Sequence, residues 1–325
     1  MLALTVSMRV TVLCALILAA SCGSGPPAET DSAAAAEPQL PLGPAPRTLA
    51  SLVFTEGPAV SPAGEVYFSE ITGNRILKYT PGQPDWTEFR NPSGKANGLA
   101  FDAQGRLVAC EGGWEGGNRR VSRTNLATGE VEVLAESYDG KRLNSPNDLA
   151  VAKDGRVYFS DPRYGPQDGR ELDTEDVYLI RPSGELVRVA TAPEIRKPNG
   201  IAFSPDEKAL YVADTQPGPP SEARVMKFDV ADDGTLSNPR VHYSFGEGRG
   251  IDGMAVDAQG RIYGVAGRTN GLPENPAGVY VISPGGELES IIPVPEDSAT
   301  NCTISPDGKT LYITAGKLLL EHSLQ

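Results

Sequence analysis

The chain has 325 residues and a formal net charge of −13, from 42 acidic against 29 basic side chains. No Lys/Arg cluster interrupts that acidity, which excludes nucleic acid and an anionic membrane surface as partners. Of the four cysteines only Cys110 and Cys302 lie beyond residue 45, so no disulfide framework is expected and both read as free, partly buried thiols.

In chain order, Arg9 precedes an apolar run over residues 10–20, followed by Ala19-Ala20-Ser21-Cys22 and a Gly/Pro stretch. The run is too short for a bilayer, which needs about 20 residues. With its basic flank and small-residue cleavage site it reads as an export signal over residues 1–22. Cys22, behind three small residues, has the form of a lipoprotein box and is the expected lipidation site; ordinary cleavage beside an incidental Cys is the alternative. Residues 23–45 are rich in Ala, Pro, Gly and Glu and bury too little to offset chain entropy, which predicts a disordered linker. The expected location is the periplasm or cell envelope, or else the medium, with membrane contact only through the anchor.

Residues 46–325 repeat one cadence six times: a polar residue, a short apolar run, a tight turn and a second apolar run. The copies begin TEGPAV (Thr55), ANGLAF (Ala96), PNDLAV (Pro146), PNGIAF (Pro198), IDGMAV (Ile251) and TNCTIS (Thr300). Their turns fall at Gly64, Gly105, Gly155, Glu207, Gly260 and Gly308, spaced 41, 50, 52, 53 and 48 residues apart. A period near fifty, with Val/Tyr/Ile/Phe-rich strands and no helical apolar spacing, predicts an all-β, six-bladed β-propeller with four-stranded antiparallel blades. The sequence after the last repeat has room for one further strand. The ring is therefore expected to close with residues 48–53 as the outermost strand of the last blade.

The inner strands of a propeller run alike along the central channel, so the residues ahead of each one surround a single mouth. Eight positions before each turn stand Glu56, Asn97, Asn147, Asn199, Asp252 and Thr300, with Asn301 one step off. Asn or Asp before Gly is also an ordinary turn residue, and a repeat reuses its turns. Two positions argue for more: Glu56 is a poor turn former, and Asn147 has no Gly after it. Carboxylates and carboxamides gathered in one ring suit a cation. Hard oxygen donors favour Ca²⁺ first, then Mg²⁺ or Mn²⁺, with Zn²⁺ also possible. His242 and His322 are the only histidines and lie in outer or terminal sequence, which excludes a His-built zinc or iron site and a Ser-His-Asp triad. The second strand of each hairpin climbs back to the mouth, ending at Glu70, Glu111, Asp161 and Asp214 in the first four blades. The loops that follow at 112–118, 162–175, 215–223 and 267–277, with Trp114 and Tyr164 among them, read as a substrate rim.

On these residues the chain resembles the gluconolactonase/regucalcin family of six-bladed, divalent-metal lactone hydrolases. The motifs that carry the resemblance are Thr55-Glu56-Gly57-Pro58, Leu143-Asn144-Ser145-Pro146-Asn147-Asp148, Phe159-Ser160-Asp161-Pro162, Pro198-Asn199-Gly200, Asp252-Gly253-Met254 and Thr300-Asn301-Cys302. The resemblance implies metal ligation by Glu56, Asn199 and Asp252, with Asn147 orienting the substrate and able to approach the metal. Where bacterial gluconolactonase-like members often carry Cys-Glu-His-Gly, this chain has Cys110-Glu111-Gly112-Gly113 and a longer loop, which puts a gluconolactone preference in question. The expected activity is hydrolysis of a sugar lactone or similar cyclic ester by a monomer, with Asp252 as general base. Asn97, Glu111, Arg119 and Tyr164 are the candidate substrate contacts, Arg120 standing with them; for both arginines an outer-strand salt bridge is the competing role. Two alternatives belong to other classes: an envelope module binding a sugar or protein around a structural calcium, and a strictosidine-synthase-like propeller, disfavoured by the lack of a mouth histidine.

Overall fold

Each predicted hairpin turn demands a left-handed residue, and glycine relieves that demand in five of the six repeats. The structure, a computed structural model, describes residues 46–215, 222–268, 275–296 and 298–324. In it the turn residues Gly64, Gly155 and Gly260 have φ of 84°, 90° and 83°, and Glu207 adopts the same region at 57° without being glycine. The signal-peptide and linker readings, with Cys22, lie outside the described residues.

Six four-stranded antiparallel sheets form the blades, and no helix occurs among the described residues. The innermost strands are Thr55–Val60, Ala96–Phe101, Leu149–Val151, Pro198–Phe203, Met254–Val256 and Ala299–Ile304. The sixth sheet runs Ala299–Ile304, Thr310–Ala315, Leu318–Ser323 and finally Arg47–Ser51, so a strand from the start of the propeller completes the last blade as expected. That pairing removes an open edge, the place where β proteins aggregate. Arg47 also reaches Glu321, with Nε 3.0 Å from Oε1.

The core is divided among the blade interfaces. One apolar cluster joins Val66, Phe68 and Leu77 of the first blade to Tyr312 and Leu319 of the last, and another joins Tyr158 and Val177 of the third to Val212 and Phe228 of the fourth. Cys110 and Cys302 sit in such clusters as free, fully buried thiols, and burial pushes both thiols well above their ordinary pKa.

At the axis a ring of polar bonds stitches each blade to the next. Ser69 Oγ donates to Asn97 O (2.6 Å) and Gly98 N–H to Asn147 O (2.7 Å). Ile201 N–H reaches Asp148 Oδ2 (3.3 Å), Gly200 N–H donates to Asp252 O (2.6 Å) and Gly253 N–H to Thr300 O (2.7 Å). Thr300 Oγ1 donates to Thr55 O at 3.0 Å and closes the circuit. The residues flagged by the register are thus held by their backbones around one axis.

Candidate active site

Four inner strands shift register near their first residues: between Glu56 and Ala59, Ala96 and Leu99, Pro198 and Ile201, and Ala299 and Asn301. In the other two blades pairing starts only at Leu149 and Met254. A bulge leaves a residue outside the ladder and re-aims its side chain. This is how Glu56, Asn97, Asn147, Asn199 and Asp252, one from each of the first five blades, come to line a single cavity of about 750 Å³. All four predicted rim loops reach it, through Trp114, Tyr164, Thr215, Ala223, Arg268 and Asn275.

The polar groups interlock on the side of the fourth and fifth blades. Asn199 Nδ2 donates to Asp252 Oδ1 (2.7 Å) and to the Tyr164 hydroxyl (3.0 Å), which lies 2.6 Å from Thr215 Oγ1. Arg249 NH2 donates to Asp252 Oδ2 at 2.6 Å, while its NH1 holds Ala299 O at 2.9 Å and Gly267 O at 3.2 Å. Lys197 lies 3.2 Å from Glu175 Oε2 and 4.8 Å over the Tyr164 ring. Burial pushes the Tyr164 phenol far up, so it stays a neutral hydrogen-bonding group.

Glu56 is buried, and among the described residues its carboxylate takes one hydrogen bond, from Gly57 N–H at 3.0 Å. Burial and then the charge of Asp252 raise its pKa well above the usual carboxylate range. Asp252 is also raised by burial, against the opposing pull of Arg249 and the Asn199 hydrogen bond. Beside them Asp148 accepts Leu149 N–H (3.0 Å) and Ile201 N–H, and burial lifts its pKa to about 7.

These observations test the fit of a divalent cation. No group of three or more His, Cys, Asp or Glu side chains able to hold a metal occurs among the described residues. The candidate set is instead two carboxylates and a carboxamide, Glu56, Asp252 and Asn199, whose carboxamide orientation follows from its hydrogen bonds and reverses by rotation. Two buried carboxylates with raised pKa, Glu56 in part through the charge of Asp252, and an oxygen-only donor set fit a hard cation such as Ca²⁺.

Other expected site residues lie elsewhere. Glu111 is fully buried away from the cavity lining, taking hydrogen bonds from Arg120 Nε (2.6 Å), Ser122 Oγ (2.5 Å) and Asn118 Nδ2 (2.5 Å), with Arg90 as a second ion-pair partner. Arg119 is buried too, donating to Leu143 O (2.7 Å) and Gly169 O (2.8 Å), and does not line the cavity. Glu111 braces the first blade to the second, and Arg119 the second to the third. Thr300 serves the axial ring, and Asn301 accepts Cys302 N–H at 2.8 Å and also bonds Asp148; neither faces the cavity. Arg249 and Lys197 were not among the sequence candidates. Each lies two or three residues ahead of a ring position, in Arg249-Gly250-Ile251-Asp252 and Lys197-Pro198-Asn199, and that proximity was the available signal.

A family model described as the SMP-30/Gluconolactonase/LRE-like region matches residues 54–317. A gluconolactonase from Zymomonas mobilis is 31% identical over 290 residues, 81% of this chain and 76% of that protein. The solved structure of a gluconolactonase from Xanthomonas campestris aligns with a TM-score of 0.74 at 33% identity, covering 88% of this chain and 99% of that one. Regucalcin from Agrobacterium tumefaciens, described as calcium-binding, aligns with a TM-score of 0.68 at 20% identity, over 85% and 92% of the two chains, and shares the fold. With its propeller, its axial ring and a match across nearly the whole domain, the chain belongs to the SMP-30/gluconolactonase/LRE-like family.

Proposed function

We propose that this protein is a divalent-cation-dependent hydrolase that opens a lactone at the channel mouth. The observation that carries the reading is the convergence of five ring side chains on one cavity, with the Glu56 and Asp252 carboxylates set against each other. The gluconolactonase relatives support a lactone as the substrate.

Glu56, Asn199 and Asp252 would hold the cation, with Asn147 lining the same cavity; held there, it would supply polarisation of the lactone carbonyl and offset the negative charge that develops on its oxygen. The remaining work falls to the chain. Asn147 and Asn97 orient the ring ester from the second and third blades. Tyr164 fixes the carboxamide of Asn199. Arg249 pins Asp252 Oδ2, while Oδ1, which also takes the Asn199 hydrogen bond, accepts a proton from water as it attacks the acyl carbon. The ring C–O bond then breaks, and the leaving alkoxide takes the proton that Asp252 removed from water, which gives the open hydroxy acid and restores the Asp252 carboxylate.

Export, with lipidation at Cys22, belongs to the same reading and is carried by the sequence. Incorporation of labelled palmitate that disappears in Cys22→Ala checks it.

Hydrolysis of a lactone panel followed in a pH-stat, with and without chelator, tests the activity. The expected result is turnover that chelator abolishes and that Glu56→Gln and Asp252→Asn each reduce by about 100-fold or more. Turnover indifferent to chelator and to both substitutions overturns the reading.

A further inference from the structure

Four large apolar side chains stand exposed among the described residues, Val53, Trp114, Val133 and Val241; only Trp114 is aromatic, and only Trp114 lines the cavity. It is 45% exposed. Its loop is tied down on every side: Gly113 N–H donates to Ser145 Oγ (2.7 Å), Gly112 N–H to Lys95 O (2.9 Å) and Gly117 N–H to Trp114 O (2.7 Å). The indole also packs over Gly165 of the third blade's loop, where a Cβ would stand 3.1 Å from Cζ3, and Gly165 has φ of 81°. The ring is therefore wedged between two loops with part of its surface left bare.

Phe54 and Ile71 of the first blade also line the cavity. Ile71 N–H donates to Phe54 O at 3.0 Å, and Lys95 Nζ donates to Ile71 O at 3.1 Å while its own carbonyl receives Gly112. The three side chains, from the first two blades, line the same cavity as Lys197, Asn199, Arg249 and Asp252 of the fourth and fifth. A rigid aromatic side chain offers a large contact area at little conformational cost. The cavity, about 750 Å³, falls in the upper part of the roughly 300–1,000 Å³ range of drug-sized sites, leaving room beyond the ester ring.

We infer that the substrate carries a flat apolar ring outside its ester ring and that Trp114 is the specificity-determining residue that stacks on it. This rests on the lactone-hydrolase reading for its chemistry, though not for its binding test.

Two measurements separate the claims. The first compares kcat/KM for δ-valerolactone and its 6-phenyl derivative. The wild type is expected to favour the phenyl lactone by about tenfold, Trp114→Ala to lose that preference mainly through KM, and Trp114→Phe to keep most of it. The second uses the fact that Trp86 and Trp114 are the only tryptophans. In Trp86→Phe, Trp114 alone reports, and 2-phenyltetrahydropyran, which has no ester to hydrolyse, is expected to quench its emission saturably. Equal use of both lactones by wild type and Trp114→Ala, or no change in emission, overturns the inference while hydrolysis itself stands. If neither lactone is hydrolysed the activity reading falls, and emission alone decides: quenching supports the stacking role, and its absence refutes it.

Discussion

Raising the pH should weaken this propeller when no divalent cation is present, and Asp148 contributes a share of the loss that a single substitution isolates. Its carboxyl is 5% exposed and lifted by burial from an ordinary 3.8 to about 7. At about 1.4 kcal/mol per pH unit, that shift corresponds to about 4 kcal/mol. The sign follows from proton uptake: the folded state holds this proton more tightly than the unfolded chain, so stability falls as pH rises from about 4 and the loss is complete above about 7. Asp161, also fully buried and lifted to about 7, adds a loss of the same sign. Burial lowers the His242 pKa and works in the opposite direction. Comparison with Asp148→Asn isolates the group, because the amide oxygen still accepts one backbone N–H and cannot ionise. The assay is urea denaturation in EDTA at pH 5 and pH 8. Wild type is expected to lose more stability across that interval than Asp148→Asn, by up to about 3 kcal/mol for the two units between pH 5 and the folded pKa, and Ca²⁺ is expected to narrow the gap. Identical losses in the two proteins would refute the electrostatic account of the axis.

Further outcomes follow from the structure. Glu111→Gln strands Arg90 and Arg120 in a buried pair and should cost about 3–5 kcal/mol in denaturation while leaving KM for any substrate intact, as expected of a brace. Deletion of residues 1–51 removes the closing strand and the half-buried Leu49, exposing the edge of Leu318–Ser323; a loss of about 1–2 kcal/mol in side-chain burial alone should appear as a lower Tm and light scattering on standing.

The axis was legible because a closed repeat converts sequence spacing into geometry. One count from each turn found Glu56, Asn97, Asn147, Asn199 and Asp252, and all five line the cavity. The same count found Thr300, but a hydroxyl close to the Thr55 and Thr314 carbonyls satisfies itself there, bonding both at 3.0 and 2.9 Å. Spacing gives a residue's height along the channel but says less about which way it faces. Glu111 stands at the expected strand end, yet it turns toward Arg90 and Arg120, where its charge is paired. Arg249 and Lys197 escaped because they lie in the crossings between blades, where no periodicity marks a position. Cys110 and Cys302 were readable as unpaired thiols because their repeats are not neighbours in the way a disulfide needs.

The claim on which the rest depends is that side chains from separate blades share one cation. Calorimetric titration of chelator-treated protein with Ca²⁺ tests it most directly. The account predicts one ion per chain, with affinity weakened by about 100-fold or more in both Glu56→Gln and Asp252→Asn although their circular dichroism is unchanged. Undiminished Ca²⁺ binding in both variants would contradict it.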